Sequence, residues 1–186
     1  INYNLIYNNK AINRYKNTKF GLLSSKKENL AELKKTISCI KNCELKKNST
    51  NIVFGDGNPD SRIMLIGEGP GYNEDLEGLP FVGRAGNLLD KMLASINLDR
   101  SNVYISNVVN FRPPENRKPT EIEIKRYLPF LEKHIEIIKP KILILLGSTA
   151  MNALIGDKFV ISKVRGQWIE KKIGSVKLSI IVTFHP

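Results

Sequence analysis

Polar side chains that could act on a small flat ligand follow four short apolar segments of the chain. The four loops are GEGPG (67–71), NVVNFRPP (107–114), GSTA (147–150) and FHP (184–186). Short, continuous apolar runs of this kind are typical of buried strands. Since ligands of open α/β sheets bind at the carboxyl ends of the strands, we expect the four loops to converge on one edge of a sheet.

The first two loops and the segment between them hold candidates for binding a base. Glu68 lies among glycines, whose small size lets a ligand approach the backbone, although a plain tight turn explains the same pattern. Phe81 is either a plug of the core or a stacking platform for a flat ligand, and its spacing alone favours the plug. Asn107 follows the second strand, and its amide could bind two edge atoms of a pyrimidine; a capping Asn in a solvated loop is the alternative.

Basic residues and a helix start could hold phosphates. Basic side chains stand beside stiff prolines at Arg112, Arg117 and Lys118, where they could contact a phosphate backbone. Ser148 and Thr149 open a helix whose free amides suit an anion. A simple helix cap by Ser148 explains that pattern equally well.

Two features near the end of the chain are individually uninformative. His185 follows the fourth strand and could stabilise a developing negative charge, although a lone His is more often structural. Arg165 and Trp168 form a basic and aromatic pair, in which Trp168 could instead close the core.

The elements that must position these loops alternate between strands and helices. Strands are predicted at 62–66, 103–106, 141–146 and 178–182, and helices at 25–43, 85–96, 120–138 and 148–155. This alternation predicts an α/β fold, a three-layer α/β/α sandwich with a central four-stranded, mainly parallel sheet. The helix at 85–96 is expected to turn its apolar residues inward: Leu88, Leu89, Met92, Leu93 and Ile96.

Composition and charge favour a globular protein that binds polyanions. The chain has 186 residues and a net charge of +11, and residues 1–50 alone hold 11 Lys/Arg against 3 Asp/Glu. Such an excess favours nucleic acid, although the abundance of Asn, Ile and Lys would also follow from codon bias. No apolar run reaches the roughly 20 residues of a membrane span, so no membrane partner is expected. Two cysteines make no disulfide framework, which favours a reducing, cytoplasmic location.

The order and spacing of these motifs resemble the family 4 uracil-DNA glycosylases of the uracil-DNA glycosylase superfamily. The similarity covers GEGPG, PFVGRAG (80–86), NVVNFRPPENRKP (107–119), ILILLGSTA (142–150), RGQW (165–168) and FHP. It implies hydrolysis of the bond between uracil and deoxyribose after the nucleotide is flipped out of the DNA stack. The expected partner is uracil-containing DNA, bound by a monomer.

The resemblance also implies roles for individual residues. Glu68 and His185 take the catalytic positions, as the water-side acid and as the donor toward uracil O2. Gly69, Phe81 and Asn107 take the uracil-binding positions. Phosphate contacts are implied for a further set: Arg84, Arg112, Ser148, Thr149 and Arg165.

Family members typically hold a four-iron four-sulfur cluster on four cysteines. The corresponding positions here are Cys39, Cys43, Phe111 and Tyr127. Since a cluster of this type takes about four thiolates, we expect no cofactor and no metal.

The resemblance divides the chain into a basic arm at 1–27 and a glycosylase-like domain at 28–186. The family motif continues past His185-Pro186, so we expect the domain to be incomplete at its C-terminal end and its activity to be weak. A catalytically inactive DNA-binding remnant is the main alternative to an active enzyme. A small-molecule nucleotide binder is a third reading.

Overall fold

Six strands form a single sheet in the computed structural model, which describes residues 25–186. The order is β1-β3-β2-β4-β6-β5, with the strands at Asp56–Gly57 (β1), Ile63–Gly67 (β2), Tyr104–Asn107 (β3), Ile142–Leu146 (β4), Trp168–Ile173 (β5) and Val176–Thr183 (β6). The four inner strands run parallel and are the four that the apolar runs predict. Most of the basic arm predicted at 1–27 lies outside the described residues.

The two edge strands are additions to the predicted sheet, and both pair antiparallel. Strand β1 has only two residues, and β5 carries the mainly exposed sequence WIEKKI. Neither forms the continuous apolar run that marks a buried strand. Trp168, which the sequence allows as a core residue, is instead 58% exposed on β5.

Four of the seven α-helices within residues 25–186 correspond to predicted helices, and three of these four begin and end within two residues of the predicted bounds. The other three are short helices that the sequence patterns did not predict. The seven helices are Lys26–Ser38 (α1), Glu44–Lys47 (α2), Tyr72–Glu77 (α3), Arg84–Ala94 (α4), Glu121–Ile138 (α5), Ser148–Ile155 (α6) and Ile161–Val164 (α7). Capping boxes at Ser25 and Thr120 satisfy the free amides at the starts of α1 and α5. No helix within 25–186 combines the length and the apolar character needed to cross a membrane.

The first helix is shorter than predicted, and the correction separates the two cysteines. Helix α1 ends at Ser38, with Cys39 as its C-cap, and the backbone at Asn42 has a left-handed φ of 51°. Asn tolerates this conformation better than most residues, so the chain can turn there. Cys39 and Cys43 therefore do not share one helical face.

The sheet separates two hydrophobic clusters, which gives the predicted three layers. In β2, Met64 and Ile66 pack with the α1 and α5 layer, whereas Leu65 packs with α4. This alternation follows from the period of two in a strand. Both faces of β2 and β3 are therefore covered, whereas β6 buries only the face that carries Leu178, Ile180 and Val182.

Helix α4 buries a narrower stripe than the sequence predicts. Leu89 and Leu93 are buried, but Leu88 is 47%, Met92 40% and Ile96 60% exposed. The outer layer meets the sheet along one line of side chains spaced four apart, and Ile96 lies beyond the helix end at Ala94. The expectation that all five apolar residues point inward is wrong.

Candidate active site

A cavity of about 200 Å³ opens where three of the parallel strands end. Glu68 and Gly69 follow β2, Asn107 ends β3, and His185 follows β6; all of them line this cavity. Phe81 lines it from the segment between α3 and α4. The remaining loop, GSTA (147–150), contributes Thr149, whose hydroxyl donates a hydrogen bond to Glu68. The predicted convergence of the four loops on one edge is confirmed.

Asn107 presents a buried hydrogen-bond acceptor that has no partner. The side chain is 3% exposed, and its Oδ1 is the single buried side-chain nitrogen or oxygen of residues 25–186 without a hydrogen bond. A buried polar group left unsatisfied costs about 1–3 kcal/mol. An acceptor kept in this state, on the wall of a cavity, indicates a ligand that donates to it.

Gly67 allows Asn107 and Phe81 to meet. It pairs with Asn107 across β2 and β3. A Cβ at this position would lie 2.5 Å from Phe81 Cζ and 2.6 Å from Asn107 Oδ1. Any side chain at position 67 would therefore occupy the space between the aromatic ring and the amide.

Phe81 is both part of the core and a wall of the cavity. It is 5% exposed and packs with Leu65 and Leu89. Its ring also stacks against the imidazole of His185, with centroids 5.7 Å apart and an interplanar angle of 27°. The core contacts confirm the first sequence alternative, a plug of the core, and stacking of a flat ligand on the ring stays a prediction.

Glu68 is held by a hydroxyl from the start of α6. The Thr149 hydroxyl donates a short hydrogen bond to Glu68 Oε2, and Thr149 is buried. This contact differs from the phosphate contact that the resemblance implies for Thr149, because the hydroxyl proton is engaged inside the protein. The hydrogen bond fixes one oxygen of a carboxylate that lines the cavity.

His185 approaches the site over a glycine. A Cβ on Gly147, whose φ is +93°, would lie 3.2 Å from the His185 Cβ. The imidazole is exposed, and its Nδ1 lies 3.0 Å from the carbonyl oxygen of Pro186. His185 is thus positioned by backbone approach and ring stacking.

The residues that the resemblance predicts to contact phosphate do not line the cavity. Arg112 lies over the Tyr72 ring at 5.1 Å, and Arg165 lies over the Phe184 ring at 4.9 Å. Arg84 begins α4 and is exposed. Ser148 begins α6, and its role in phosphate binding stays a prediction.

Arg117, singled out by the sequence, does line the cavity. Its guanidinium donates two hydrogen bonds to the Glu123 carboxylate, at 2.7 and 2.8 Å. This hydrogen-bonded pairing raises the pKa of Arg117 and lowers that of Glu123. Part of the Arg117 charge is therefore balanced within the protein.

Comparison with known proteins agrees with this geometry. Residues 54–186 match the model of the Uracil DNA glycosylase superfamily. The chain belongs to this superfamily. It is 49% identical to the type-4 uracil-DNA glycosylase of Thermotoga maritima over 145 residues, which cover 77% of this chain and 74% of the relative.

Two further relatives extend the similarity. The type-4 uracil-DNA glycosylase of Archaeoglobus fulgidus is 40% identical over 163 residues, covering 86% of this chain and 82% of the relative. The type-4 uracil-DNA glycosylase of Sulfurisphaera tokodaii is 42% identical over 164 residues, which cover 86% of this chain and 74% of the relative. The chain is therefore a member of the type-4 family within the superfamily.

The residues at the family's cluster positions do not fit an iron–sulfur cluster. Cys43 is buried with its Sγ 3.3 Å from the Tyr127 hydroxyl, whereas Cys39 is exposed and Phe111 is buried. Burial, helped by the hydrogen bond to Cys43, raises the pKa of Tyr127 above its usual value, so the phenol stays protonated. No group of three or more His, Cys, Asp or Glu side chains in the described part of the chain could hold a metal ion.

Two charged residues that hold the walls of the site are not among those that the sequence motifs predict. Glu74 accepts hydrogen bonds from the backbone amides of Gly71 and Val82, and Arg100 donates to the carbonyls of Pro80 and Phe81. Glu74 stands three residues after the helix cap at Gly71, a capping-box spacing that could have identified it. No local pattern marks Arg100, which lies in a turn before β3.

Proposed function

We propose that this chain hydrolyses the N-glycosidic bond of uracil in DNA. The observation that carries the proposal is the unpartnered Oδ1 of Asn107, buried beside the Phe81 ring in a small cavity. The Watson–Crick edge of uracil offers an N3–H donor next to the O4 acceptor. An Asn amide can accept from the first and donate to the second. Cytosine presents an acceptor at N3 and a donor at C4, so it would meet the same amide with both groups reversed.

The cavity has room for one base, so the target nucleotide must leave the helical stack. Enzymes that act on a base within a duplex rotate it out of the stack and read its edge in a pocket. Phe81 offers a flat apolar surface for the base, and His185 closes the cavity beside it.

The charges of the site match those of the bond cleavage. As the bond from C1′ to N1 breaks, its electron pair leaves with uracil and positive charge develops on the sugar. The oxygen of a water molecule bonds to C1′, and Glu68 accepts the water proton. Asn107 and His185 stabilise the negative charge on the leaving base. Fixed groups of this kind each contribute on the order of 10²–10³ in rate.

The surface beside the cavity suits the DNA strand that carries the target. Tyr72 follows Gly71, and Phe184 precedes His185, so each exposed ring adjoins a residue that lines the cavity. An arginine lies over each ring. Aromatic surfaces with nearby cations are a common way to hold exposed bases and backbone. We propose that Arg84, Arg112, Arg165 and Ser148 contact the phosphates.

We propose further that the enzyme works without an iron–sulfur cluster. The support is the donor chemistry of the site, where one buried thiol faces a protonated phenol. Iron content and visible absorbance of protein purified without oxygen test this. A brown chromophore with iron in stoichiometric amount would contradict it.

Both cysteines of the chain are free thiols, which supports action in a reducing compartment such as the cytoplasm. We propose in addition that the chain acts as a monomer. Sedimentation at concentrations used for the activity assay tests the second point.

Release of uracil from single- and double-stranded oligonucleotides with one uracil tests the main proposal. Asn107→Ala is expected to lower the rate by about 10²–10³ while leaving the unfolding temperature close to that of the wild type. The matched control is Asn110→Ala, because Asn110 is a buried amide of the same segment that already donates to the Val53 carbonyl at 3.0 Å. This control should retain activity per folded molecule. Binding of uracil-containing DNA by the wild type without release of the base would overturn the proposal and favour a DNA-binding remnant.

A further inference from the structure

Phe81 reaches the cavity from a turn in a strained conformation. The turn, residues 80–83, connects α3 to α4 and forms no helix or strand. At Phe81 the φ angle is +56°, in the left-handed region that bulky residues rarely adopt. Such a conformation persists only where the surrounding structure holds it.

Arg100 holds the carbonyl groups of this turn. Its Nη1 donates to the Pro80 oxygen at 2.9 Å, and its Nη2 donates a short hydrogen bond to the Phe81 oxygen. Two carboxylates also hold the guanidinium: Asp56 accepts from Nη1 at 2.9 Å, and Asp90 accepts from Nε at 3.0 Å. Burial alone would lower the pKa of Arg100, but these hydrogen bonds raise it, so the side chain stays charged.

Glu74 holds the amide groups of the same turn. Its Oε1 accepts from the Val82 and Gly83 amides at 2.9 and 2.8 Å. Its Oε2 accepts from the Gly71 amide at 3.1 Å, in the 67–71 loop that also lines the cavity. The carboxylate therefore connects two segments that contribute residues to the cavity.

The space around the turn leaves little freedom for another arrangement. A Cβ on Gly86 of α4 would lie 1.7 Å from the Phe81 carbonyl oxygen. The carbonyl is thus confined between the helix backbone and the Arg100 guanidinium. A shift of the turn would break contacts on both sides.

We propose that Glu74 and Arg100 act as a clamp of opposite charges, holding the Phe81 turn in the conformation that presents its ring to the base. Both are positioning residues, and the inference rests on the proposed function. Their contacts go to backbone atoms of the turn, so they act on the position of the ring through the backbone. Neither residue needs to touch the base.

Substitutions that keep charge or shape test the clamp. Arg100→Lys keeps the positive charge, but one ammonium cannot reproduce the planar fork that reaches two carbonyls and two carboxylates. Glu74→Gln keeps the shape and turns one acceptor into a donor that faces backbone amides. Each is expected to lower kcat/KM for uracil release about tenfold to a hundredfold, because small misplacements of a binding surface have effects of this size.

Two controls separate positioning from general stability. Arg126→Lys alters an arginine that also donates to two backbone carbonyls, those of Lys41 and Asn42, away from the cavity. Asp75→Asn alters the neighbouring carboxylate, which accepts from the amides of Thr50 and Asn51. Both should keep wild-type kcat/KM per folded molecule.

The decisive readouts are hydrogen exchange and a double-mutant cycle. Exchange of the Val82 and Gly83 amides should accelerate at least tenfold in Glu74→Gln and in Arg100→Lys, and stay unchanged in the two controls. In a Phe81→Ala background, Arg100→Lys should lower kcat/KM by less than twofold, since the ring it positions is gone. An equal loss in both backgrounds, or unchanged exchange, would overturn the clamp. A wild-type chain that releases no uracil would instead overturn the proposed function, and the exchange data would still report on the clamp.

Discussion

Buried polar side chains at the cavity differ from those on the α5 face of the sheet in whether their hydrogen-bonding groups have partners. At the cavity, Asn107 Oδ1 has no partner. On the α5 face, the Tyr104 hydroxyl lies 2.9 Å from His134 Nε2, and Cys43 Sγ lies 3.3 Å from the Tyr127 hydroxyl. Groups that satisfy each other contribute to stability, whereas a group left open is available to a ligand.

The two histidines of the chain show this difference most clearly. His134 is buried, stacks on Phe54 with centroids 4.3 Å apart, and has its pKa lowered to about 3 by burial. His185 is exposed at the cavity. Residue type alone does not distinguish them; the surroundings assign one to the core and the other to the site.

The largest expected effect is at His185. His185→Ala should slow uracil release by about 10²–10³, since it removes a group fixed beside the leaving base. Its denaturant midpoint should stay close to that of the wild type, because the side chain is exposed. Single-turnover kinetics and urea unfolding of the same preparation measure both quantities. A rate of uracil release by His185→Ala within twofold of the wild-type rate would show that His185 is not a catalytic residue.

The second prediction is that His134 makes the free energy of unfolding decrease as the pH falls. Because the folded pKa is lowered, the unfolded chain binds the proton first, so the stability present above pH 6.5 declines as pH falls toward 3. From pH 7 to pH 5 the loss from this residue should be about 2 kcal/mol. Urea unfolding of the wild type and His134→Gln at both pH values measures it.

In His134→Gln this share of the acid sensitivity should disappear. His185→Gln serves as the control and should retain the full acid sensitivity. The same pH dependence in His134→Gln as in the wild type would show that His134 takes up its proton in the folded state.

A smaller effect is expected at Thr149, which ties α6 to the cavity through Glu68. Thr149→Val should lower kcat by about tenfold, because it leaves the Glu68 carboxylate without its hydrogen bond. Thr149→Ser keeps the hydroxyl and should restore most of the rate. In a Glu68→Gln background, Thr149→Val should change kcat little; an undiminished effect there would mean that Thr149 acts independently of Glu68.

The smallest expected effect is on stability, at the buried hydrogen bond between Tyr127 and Cys43. Tyr127→Phe removes the hydroxyl bonded to Cys43 and should lower the free energy of unfolding by about 1 kcal/mol, with unchanged kcat/KM. Cys39→Ser alters the exposed thiol that lies four residues before Cys43, and it should leave both the free energy of unfolding and kcat/KM unchanged. A loss of activity in Tyr127→Phe without a loss of stability would show that this hydrogen bond is coupled to the cavity.

Local patterns in the sequence determined the framework of this protein. Apolar runs such as KILILL (141–146) predict the inner strands, because the pattern of a buried strand extends over only a few residues. Convergence of the polar loops on one edge then follows from parallel strands. The family motifs likewise named Glu68, Phe81, Asn107 and His185, all of which line the cavity.

Only the tertiary structure decided what these residues contact. The partner of Thr149 is 81 residues away in the chain, and Arg100 lies 19 residues from the Phe81 carbonyl that it holds. The exposed side of α4 and the two faces of the Phe81 ring likewise depend on which elements pack against them. Hydrogen bonds and burial between distant segments arise from packing, and a pattern that spans one helix or one strand carries no information about them.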